Sequence, residues 1–221
     1  MDIANYGNRN DAIQQHQRQA LYGVITRAFE ASQLAWDNCH REDRGDGVLV
    51  VIPDHAQSWT AVDPLLERLH AGLRHHNRVA STAAQIRLRV AVHSGQVHFD
   101  AHGVAGHAVI HLFRLLDAPE LKKALAASGD DLALIVSDHY YENVIQHSPG
   151  MIDPEAFRPI RVAVKETRTR GWLHLPKTSP NPPQPQPSET GVPATHTFSD
   201  ARININGVIG VEGVYGFRWE R

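Results

Sequence analysis

Apolar residues recur at helical spacing in three segments of the chain. Residues 12–34 place isoleucine, leucine, valine and phenylalanine three or four positions apart between polar residues, and residues 62–73 repeat this pattern. Such spacing puts the apolar side chains on one face of a helix, so both segments are predicted to be amphipathic helices. Residues 107–127 predict one or two further helices, broken near Pro119 because proline does not continue a helix.

Short apolar or alternating runs lie between these helices and predict strands. Residues 48–52 form a continuous apolar run closed by Pro53, which is typical of a strand buried on both faces. Residues 86–92 alternate between apolar and polar side chains, as a half-buried strand does. Residues 132–136 predict another strand, and Ser137 after it is the predicted N-cap of the next helix.

Two more runs, at residues 160–165 and 172–175, predict a closing pair of strands. Helices and strands therefore alternate along the chain, which indicates an α/β or α+β fold with a central sheet. The first strand of such a sheet should precede the first helix, and only residues 1–5 are available for it. We expect either that the chain begins at the very end of that strand or that its natural start lies upstream.

The composition changes after residue 175. Residues 176–195 are rich in proline, serine, glutamine and threonine, which predicts a disordered linker with polyproline character. In the tail at residues 196–221, apolar side chains alternate with asparagine and glycine. This tail is either a loose glycine-rich end or a self-pairing β segment, an amyloid-like motif that recruits an effector protein. The predicted core domain is residues 1–175.

Charge and composition exclude several functional classes. The 221 residues have a net charge of −2 and no basic patch, so we predict no nucleic-acid partner. No apolar run reaches the roughly 20 residues that span a bilayer, so we predict no membrane association. Cys39 is the single cysteine, and no signal-peptide pattern is visible, which favours a cytoplasmic location. The fifteen histidines are scattered along the sequence and do not predict a metal cluster.

The most specific local signal is the turn Arg-Gly-Asp-Gly at residues 44–47, directly before an apolar run. Asp46 lies between Gly45 and Gly47, and glycines of this kind let a phosphate or a metal ion approach closely. Without further support, the same pattern is usually only a hairpin turn.

Four other segments accompany this turn. They are Asp-Ile at residues 2–3, Arg-Val-Ala-Val-His-Ser-Gly at 89–95, Gly-His-Ala-Val at 106–109 followed by Arg114, and Val-Lys-Glu at 164–166. Together these motifs resemble the catalytic domain of class III adenylate and guanylate cyclases, in a divergent actinobacterial stand-alone form. The resemblance covers about three quarters of the chain and implies a ferredoxin-like, palm-like central sheet with helices packed on it.

The resemblance also assigns roles to the residues in the motifs. Asp2 and Asp46, 44 positions apart, would be the metal ligands for two Mg²⁺ or Mn²⁺ ions, and Gly45 and Gly47 would contact the nucleotide. Two such ions lower the charge on the attacking and leaving oxygens of the reaction. Glu42, four positions before Asp46, would contact the base, and a glutamate there is a weak indication of guanine preference.

Two catalytic positions are implied in the second half of the chain. Arg114 would stabilise the transition state, and Lys165 would bind phosphate. The family places an asparagine one helical turn before that arginine, where this chain has Ile110. Isoleucine cannot bond the ribose, and removing such a contact costs about two to three orders of magnitude in rate. His107 also departs from the residue that usually follows the glycine.

Two functional hypotheses follow. The first is a homodimeric nucleotidyl cyclase that binds a nucleoside triphosphate and places Asp2 and Asp46 of one subunit opposite Arg114 of the other. The second is a catalytically inactive nucleotide-sensing or adaptor protein whose C-terminal tail recruits an effector by β-pairing. Structural roles stay open for the same residues: Arg114 could pair with Asp117, and Lys165 could be an ordinary strand end.

Overall fold

The computed structural model describes residues 1–53, 58–147 and 153–176, apart from the side chains of Ser58 and Trp59. These residues belong to the unit Met1–Ser179. The predicted tail, and the predicted linker after residue 176, lie outside the described residues, so both stay predictions.

The described residues contain five α-helices and nine strands. The helices are α1 (Asp11–Ala31), α2 (Leu65–Val79), α3 (His107–Leu116), α4 (Pro119–Ala127) and α5 (Asp138–Asn143). The strands are β1 (Asp2–Ile3), β2 (His40–Asp43), β3 (Val48–Val51), β4 (Leu88–Val92), β5 (His98–Asp100), β6 (Gly103–Ala105), β7 (Leu132–Ser137), β8 (Arg158–Val164) and β9 (Thr167–His174).

Five of these strands form one mixed sheet in the order β1-β4-β7-β9-β8. β4 and β7 run parallel, whereas the other neighbouring pairs are antiparallel. Helices pack on both faces of this sheet, and the predicted α+β fold with a central sheet is therefore confirmed.

The central strand β7 separates two hydrophobic clusters. Leu132, Leu134 and Val136 face the cluster that includes the apolar side chains of α1 and α2. Ala133 and Ile135 face the cluster formed with α3 and α4. Alternate residues of a strand point to opposite faces, so a strand covered on both sides is apolar at every position.

The apolar run at residues 48–52 forms a strand, but not the strand buried on both faces that was predicted. β3 pairs with the polar strand β2 in a separate two-stranded sheet, and the structure leaves Val50 and Val51 half-buried. The prediction of a strand buried on both faces is therefore wrong for β3. A second hairpin, β5–β6, was likewise not predicted, because three-residue strands carry too few positions for an alternating pattern.

Local signals set the ends of several helices. The Asn10 side chain accepts a hydrogen bond from the Ile13 N–H at 3.0 Å and caps α1. The predicted N-cap Ser137 accepts from the Tyr140 N–H at 3.0 Å, and the predicted break at Pro119 separates α3 from α4. Within the described part of the chain, none of the helices has the length and apolar composition needed to cross a bilayer.

Candidate functional site

The turn at residues 44–47 lies against β1, where the backbone of the two segments makes direct contact. The Ile3 N–H donates to the Asp46 carbonyl at 2.8 Å, and Asp2 forms an isolated β-bridge with Gly47. A Cβ atom on Gly47 would collide with the backbone oxygen of Met1 and lie 2.8 Å from the Asp2 Cα. Only glycine permits this approach, which brings the backbone of Asp2 and Asp46 together.

The carboxylate of Asp2 is held by Arg89, the residue opposite it on β4. The guanidinium donates from Nε to Oδ1 at 2.8 Å and from Nη2 to Oδ2 at 2.9 Å. Both side chains are mostly buried, with 16% of Asp2 and 13% of Arg89 exposed. Burial raises the pKa of Asp2, and the charge of Arg89 opposes that increase.

Asp46 differs from Asp2 because its carboxylate is available. Among the residues that the structure describes, the Asp46 side chain makes no hydrogen bond and no ion pair, and it is half-buried. Its negative charge is close enough to contribute to the raised pKa of Asp2. The two predicted metal ligands are thus neighbours, one open and one engaged by a guanidinium.

A network between α1 and the hairpin fixes the turn. The Asp43 carboxylate accepts from Arg18 Nη1 at 2.7 Å, from the Tyr22 hydroxyl at 2.5 Å and from the Gly45 N–H at 2.8 Å. Arg18 also donates to the Gly45 carbonyl at 2.9 Å. The hydrogen bond from Arg18 is the main reason that the pKa of Asp43 falls to about 2. Gly45 itself has a φ of 83°, in the left-handed region that favours glycine.

The Glu42 carboxylate, predicted to contact the base, already has three partners. It accepts from the Val104 N–H at 2.7 Å and from Arg44 at 2.5 Å, and it contacts the His40 ring at 3.1 Å. These bonds use three of the roughly four acceptor positions of a carboxylate. Gly103, with a φ of 122°, leaves the space that Glu42 fills, since a Cβ there would collide with the carboxylate.

Arg114 and Lys165 lie in a second group of site residues. Arg114 pairs with Glu166 through Nη2 at 2.9 Å and Nε at 3.2 Å, so the alternative pairing with Asp117 is wrong. Lys165 occupies the turn between β8 and β9, where its φ is 50°. No hydrogen bond or ion pair between described side chains joins this group to Asp2 and Asp46.

The position that departs from the cyclase motif lies one turn before Arg114. Ile110 is 48% exposed on α3, so it neither fills the core nor offers a hydrogen bond. Close by on the same helix, the ring of Phe113 is covered by the Arg44 guanidinium, whose carbon lies 5.1 Å from the ring centre. This cation–π contact connects the turn at residues 44–47 to α3.

An open cleft of about 730 Å³ lies at the carboxyl ends of β4 and β7 and is lined in part by histidines. His93 follows β4, His107 and His111 are on α3, and His139 is on α5. Burial and the neighbouring histidines lower the pKa of His93 to about 4, and burial also lowers the pKa of His111. This group of histidines was not predicted, because its members are far apart in the sequence. Only the four-residue spacing of His107 and His111 could have indicated it.

Comparison with known proteins identifies the fold. The crystal structure of an adenylate/guanylate cyclase/hydrolase from Silicibacter pomeroyi aligns at a TM-score of 0.54 and 16% identity, over 79% of this chain and 92% of that chain. The chain has a class III cyclase-like fold. The catalytic core of a rhodopsin-guanylyl cyclase with converted specificity, in complex with ATPalphaS, aligns at a TM-score of 0.44 and 15% identity, over 78% and 90% of the two chains. No family model and no curated protein matches the sequence.

The cyclase-like domain can be tested for its fit to divalent ions from its own donor atoms. Carboxylate oxygens are the ligands that Mg²⁺ and Mn²⁺ prefer, and Asp46 presents two of them, with no hydrogen bond or ion pair among the described residues. Asp2 also offers a carboxylate and lies beside Asp46, but both of its oxygens accept hydrogen bonds from Arg89. The residues fit a cation site in which the guanidinium must be displaced from Asp2.

Proposed function

We propose that this chain is a class III cyclase-like signalling protein that binds a nucleoside triphosphate together with Mg²⁺ or Mn²⁺. The observation that carries the proposal is the contact of the Asp46 turn with β1, which brings two carboxylate residues together at one end of a cyclase-like sheet. Asp2 and Asp46 would hold the ions, and bound ions would neutralise charge on the triphosphate. Gly45 and Gly47 would allow the phosphates to come close to the backbone.

The second group of residues would complete the nucleotide site from the other subunit of a homodimer. Arg114 and Lys165 are cations on neighbouring elements, with Arg114 bonded to Glu166, and among the described residues no hydrogen bond or ion pair joins either of them to Asp2 or Asp46. In such a homodimer, Arg114 of one subunit would lie at the triphosphate held by the aspartates of its partner. Arg114 would have to release Glu166, whose side chain is 67% exposed and free to move into solvent.

Cyclisation of the bound nucleotide would be slow, since two features disfavour it. Ile110 gives no hydrogen bond to a ribose, and the Arg89–Asp2 pair competes with one of the two ions. These two features favour a second candidate, a non-catalytic nucleotide-sensing or adaptor protein. In that case the predicted tail at residues 196–221 would recruit the effector.

Equilibrium binding and product detection on the same full-length protein test both candidates. Fluorescent GTP and ATP analogues are titrated with Mn²⁺, and cyclic GMP, cyclic AMP and pyrophosphate are then assayed with the natural nucleotides. Saturable binding that weakens by about tenfold or more in Asp46→Asn supports the nucleotide site, as expected when a charge-assisted ligand is lost. Product that disappears in the same variant identifies the enzyme, and binding without product identifies the sensor.

The matched control is Asp37→Asn, which removes a carboxylate that is 95% exposed and outside the site. Its binding should equal that of the wild type. The proposal would be ruled out if the wild type did not bind nucleotide. It would also be ruled out if Asp46→Asn bound nucleotide as tightly as the wild type.

A further inference from the structure

The histidine-lined cleft lies apart from the two aspartates. Asp2 is opposite Arg89 on β4, whereas His93 follows the last residue of that strand, four positions further on. Four residues of extended strand correspond to roughly 13 Å. The cleft is therefore a separate feature of the sheet edge, at the carboxyl ends of the parallel strands β4 and β7.

Two of its histidines have the spacing of metal ligands on a helix. His107 and His111 are four positions apart on α3, so their imidazoles lie on one face, one turn apart. Two histidines at this spacing on one helical face are a recurring zinc-binding arrangement. In the part of the chain that the structure describes, neither imidazole makes a hydrogen bond, so their nitrogens are not committed to other groups.

A third imidazole stands beside this pair. The ring of His93 lies 4.8 Å from the ring of His111, measured between centroids, and 6.4 Å from the ring of His139. A metal ion lies about 2.0–2.1 Å from an imidazole nitrogen, so two rings on one ion have centres roughly 5–6 Å apart. The His93 ring is therefore close enough to His111 to border an ion that His111 binds.

Ser137 orients His93. The Nδ1 atom of His93 lies 2.8 Å from the Ser137 hydroxyl, which is itself held by the Tyr140 N–H at the start of α5. Engagement of one ring nitrogen by a neighbouring polar group fixes the direction of the other. The Nε2 atom of His93 consequently has a defined position beside Gly95, which leaves room for it.

The charges around the cleft favour a cation over an anion. Asp138 and Glu142 of α5 contribute two negative charges at its rim, and both bond to the single Arg170. One net negative charge therefore remains beside a group of imidazoles. Imidazole nitrogens suit Zn²⁺, Ni²⁺ and Cu²⁺, whereas Mg²⁺ prefers oxygen ligands.

We propose that this cleft is a binding site for one borderline transition-metal ion of the Zn²⁺ type, with His107 and His111 as its protein ligands. Among the described residues, no group of three His, Cys, Asp or Glu side chains stands ready to hold a metal ion. With two protein ligands the site would be an open one, in which water completes the coordination, and His93 would border the ion through its neighbour His111. It is independent of the Mg²⁺ or Mn²⁺ proposed for Asp2 and Asp46.

Calorimetric titration of Zn²⁺ into the full-length, untagged protein in the presence of millimolar Mg²⁺ tests this site. We expect one ion per chain in the wild type, and in His107→Gln/His111→Gln a loss of affinity of about tenfold or more. Asp46→Asn should bind Zn²⁺ as the wild type does, which separates this site from the nucleotide site. Cu²⁺ in the wild type should show nitrogen coordination by electron paramagnetic resonance, and this signal should be lost in the double variant.

The control removes the same number of imidazoles elsewhere, through His75→Gln/His102→Gln at two exposed positions. This variant should keep the wild-type affinity. Because His107 is exposed at the start of α3, His107→Gln alone keeps the test valid if the double variant does not fold. Equal Zn²⁺ affinity in the wild type and all α3 variants, or an equal loss in the control, would overturn the proposal.

Discussion

The hydrogen atom that Gly47 carries in place of a side chain faces the backbone of β1. An added methyl group would meet the Met1 oxygen and the Asp2 Cα, and backbone atoms cannot rotate away as a side chain can. Gly47→Ala should therefore push the turn off β1 and lower the free energy of unfolding by about 1–3 kcal/mol. Urea denaturation followed by circular dichroism measures this loss.

Gly7→Ala is the natural comparison for that variant. A Cβ atom at Gly7 has no heavy atom within 4 Å, and the residue lies in the segment that follows β1. Its stability should stay close to that of the wild type. If Gly47→Ala were as stable as Gly7→Ala, the close approach of the turn to β1 would be wrong.

The Arg89–Asp2 pair gives a second residue-level prediction. Arg89→Met keeps much of the apolar volume but leaves the Asp2 carboxylate mostly buried and without its two donors. The expected loss of stability is about 1–3 kcal/mol, because an unsatisfied buried group keeps its desolvation penalty. The melting temperature should fall, and Mn²⁺ should restore part of it, since a cation at Asp2 no longer competes with a guanidinium.

The double variant Asp2→Asn/Arg89→Met tests the cause of this change. Removing the charge of Asp2 should recover part of the stability that Arg89→Met loses, and it should abolish the response to Mn²⁺. A double variant whose loss equals the sum of both single losses would show that the pair is not coupled.

Single site residues could be predicted where they belong to a sequence motif. Their contacts were missed where these depend on how two distant strands align. Asp46 and Gly47 stand out in the sequence because the turn residues are adjacent and unusual. The ion-pair partner of Asp2 is Arg89, 87 positions further along the chain, and it is set by the alignment of β1 with β4. No local sequence pattern contains that alignment. The contact of Glu42 with Val104 joins two hairpins and was hidden for the same reason.

Among the secondary-structure elements, long amphipathic segments were predicted well and short strands were not. The helix predicted at residues 12–34 is α1, and the apolar run at 132–136 is the central strand β7. The run at 48–52 is just as apolar, yet it forms β3 in a hairpin with β2, whose four residues are all polar. An apolar run signals a strand, but its place in a sheet depends on distant pairing.

The connection between α1 and the β2–β3 hairpin should make stability depend on acid pH. The pKa of Asp43 is lowered to about 2 by Arg18 and Tyr22, whereas an unfolded aspartate titrates near pH 4. The folded state therefore gains stability from ionised Asp43 above about pH 4, and this gain is lost as the pH falls towards 2. Since 39% of the Asp43 side chain is exposed, the contribution should be only about 0.5–1 kcal/mol.

Asp43→Asn isolates this contribution because the amide keeps the shape but does not titrate. The free energy of unfolding, measured with urea at several pH values between 2 and 6, should rise less steeply with pH in the variant than in the wild type. Identical slopes would mean that Asp43 is not coupled to α1. Asp100→Asn, an exposed residue in the β5–β6 hairpin, should keep the wild-type slope.

At the scale of the whole molecule, the two groups of site residues raise the question of a dimer. Among the described residues, no hydrogen bond or ion pair joins Arg114 to Asp2 or Asp46 within one chain; under the proposed function, a second copy would bring Arg114 to the nucleotide that the aspartates hold. Ile110 offers a candidate contact for that copy, because it is a large apolar residue exposed on the same helix as Arg114. An apolar side chain in water gains from burial at roughly 25 cal/mol per Å².

Replacing this side chain tests the proposed dimer directly. Ile110→Asp places a charge where the two copies would meet, and desolvating that charge is unfavourable, so self-association should weaken by about tenfold or more. Sedimentation equilibrium over a range of protein concentrations measures the association constant. Val79→Asp provides the control, since Val79 is 78% exposed at the end of α2, away from α3 in the sequence. A wild-type protein that stays monomeric at all concentrations, or a dimer unaffected by Ile110→Asp, would exclude α3 from the interface. In that case Arg114 could not reach a partner's triphosphate through this helix.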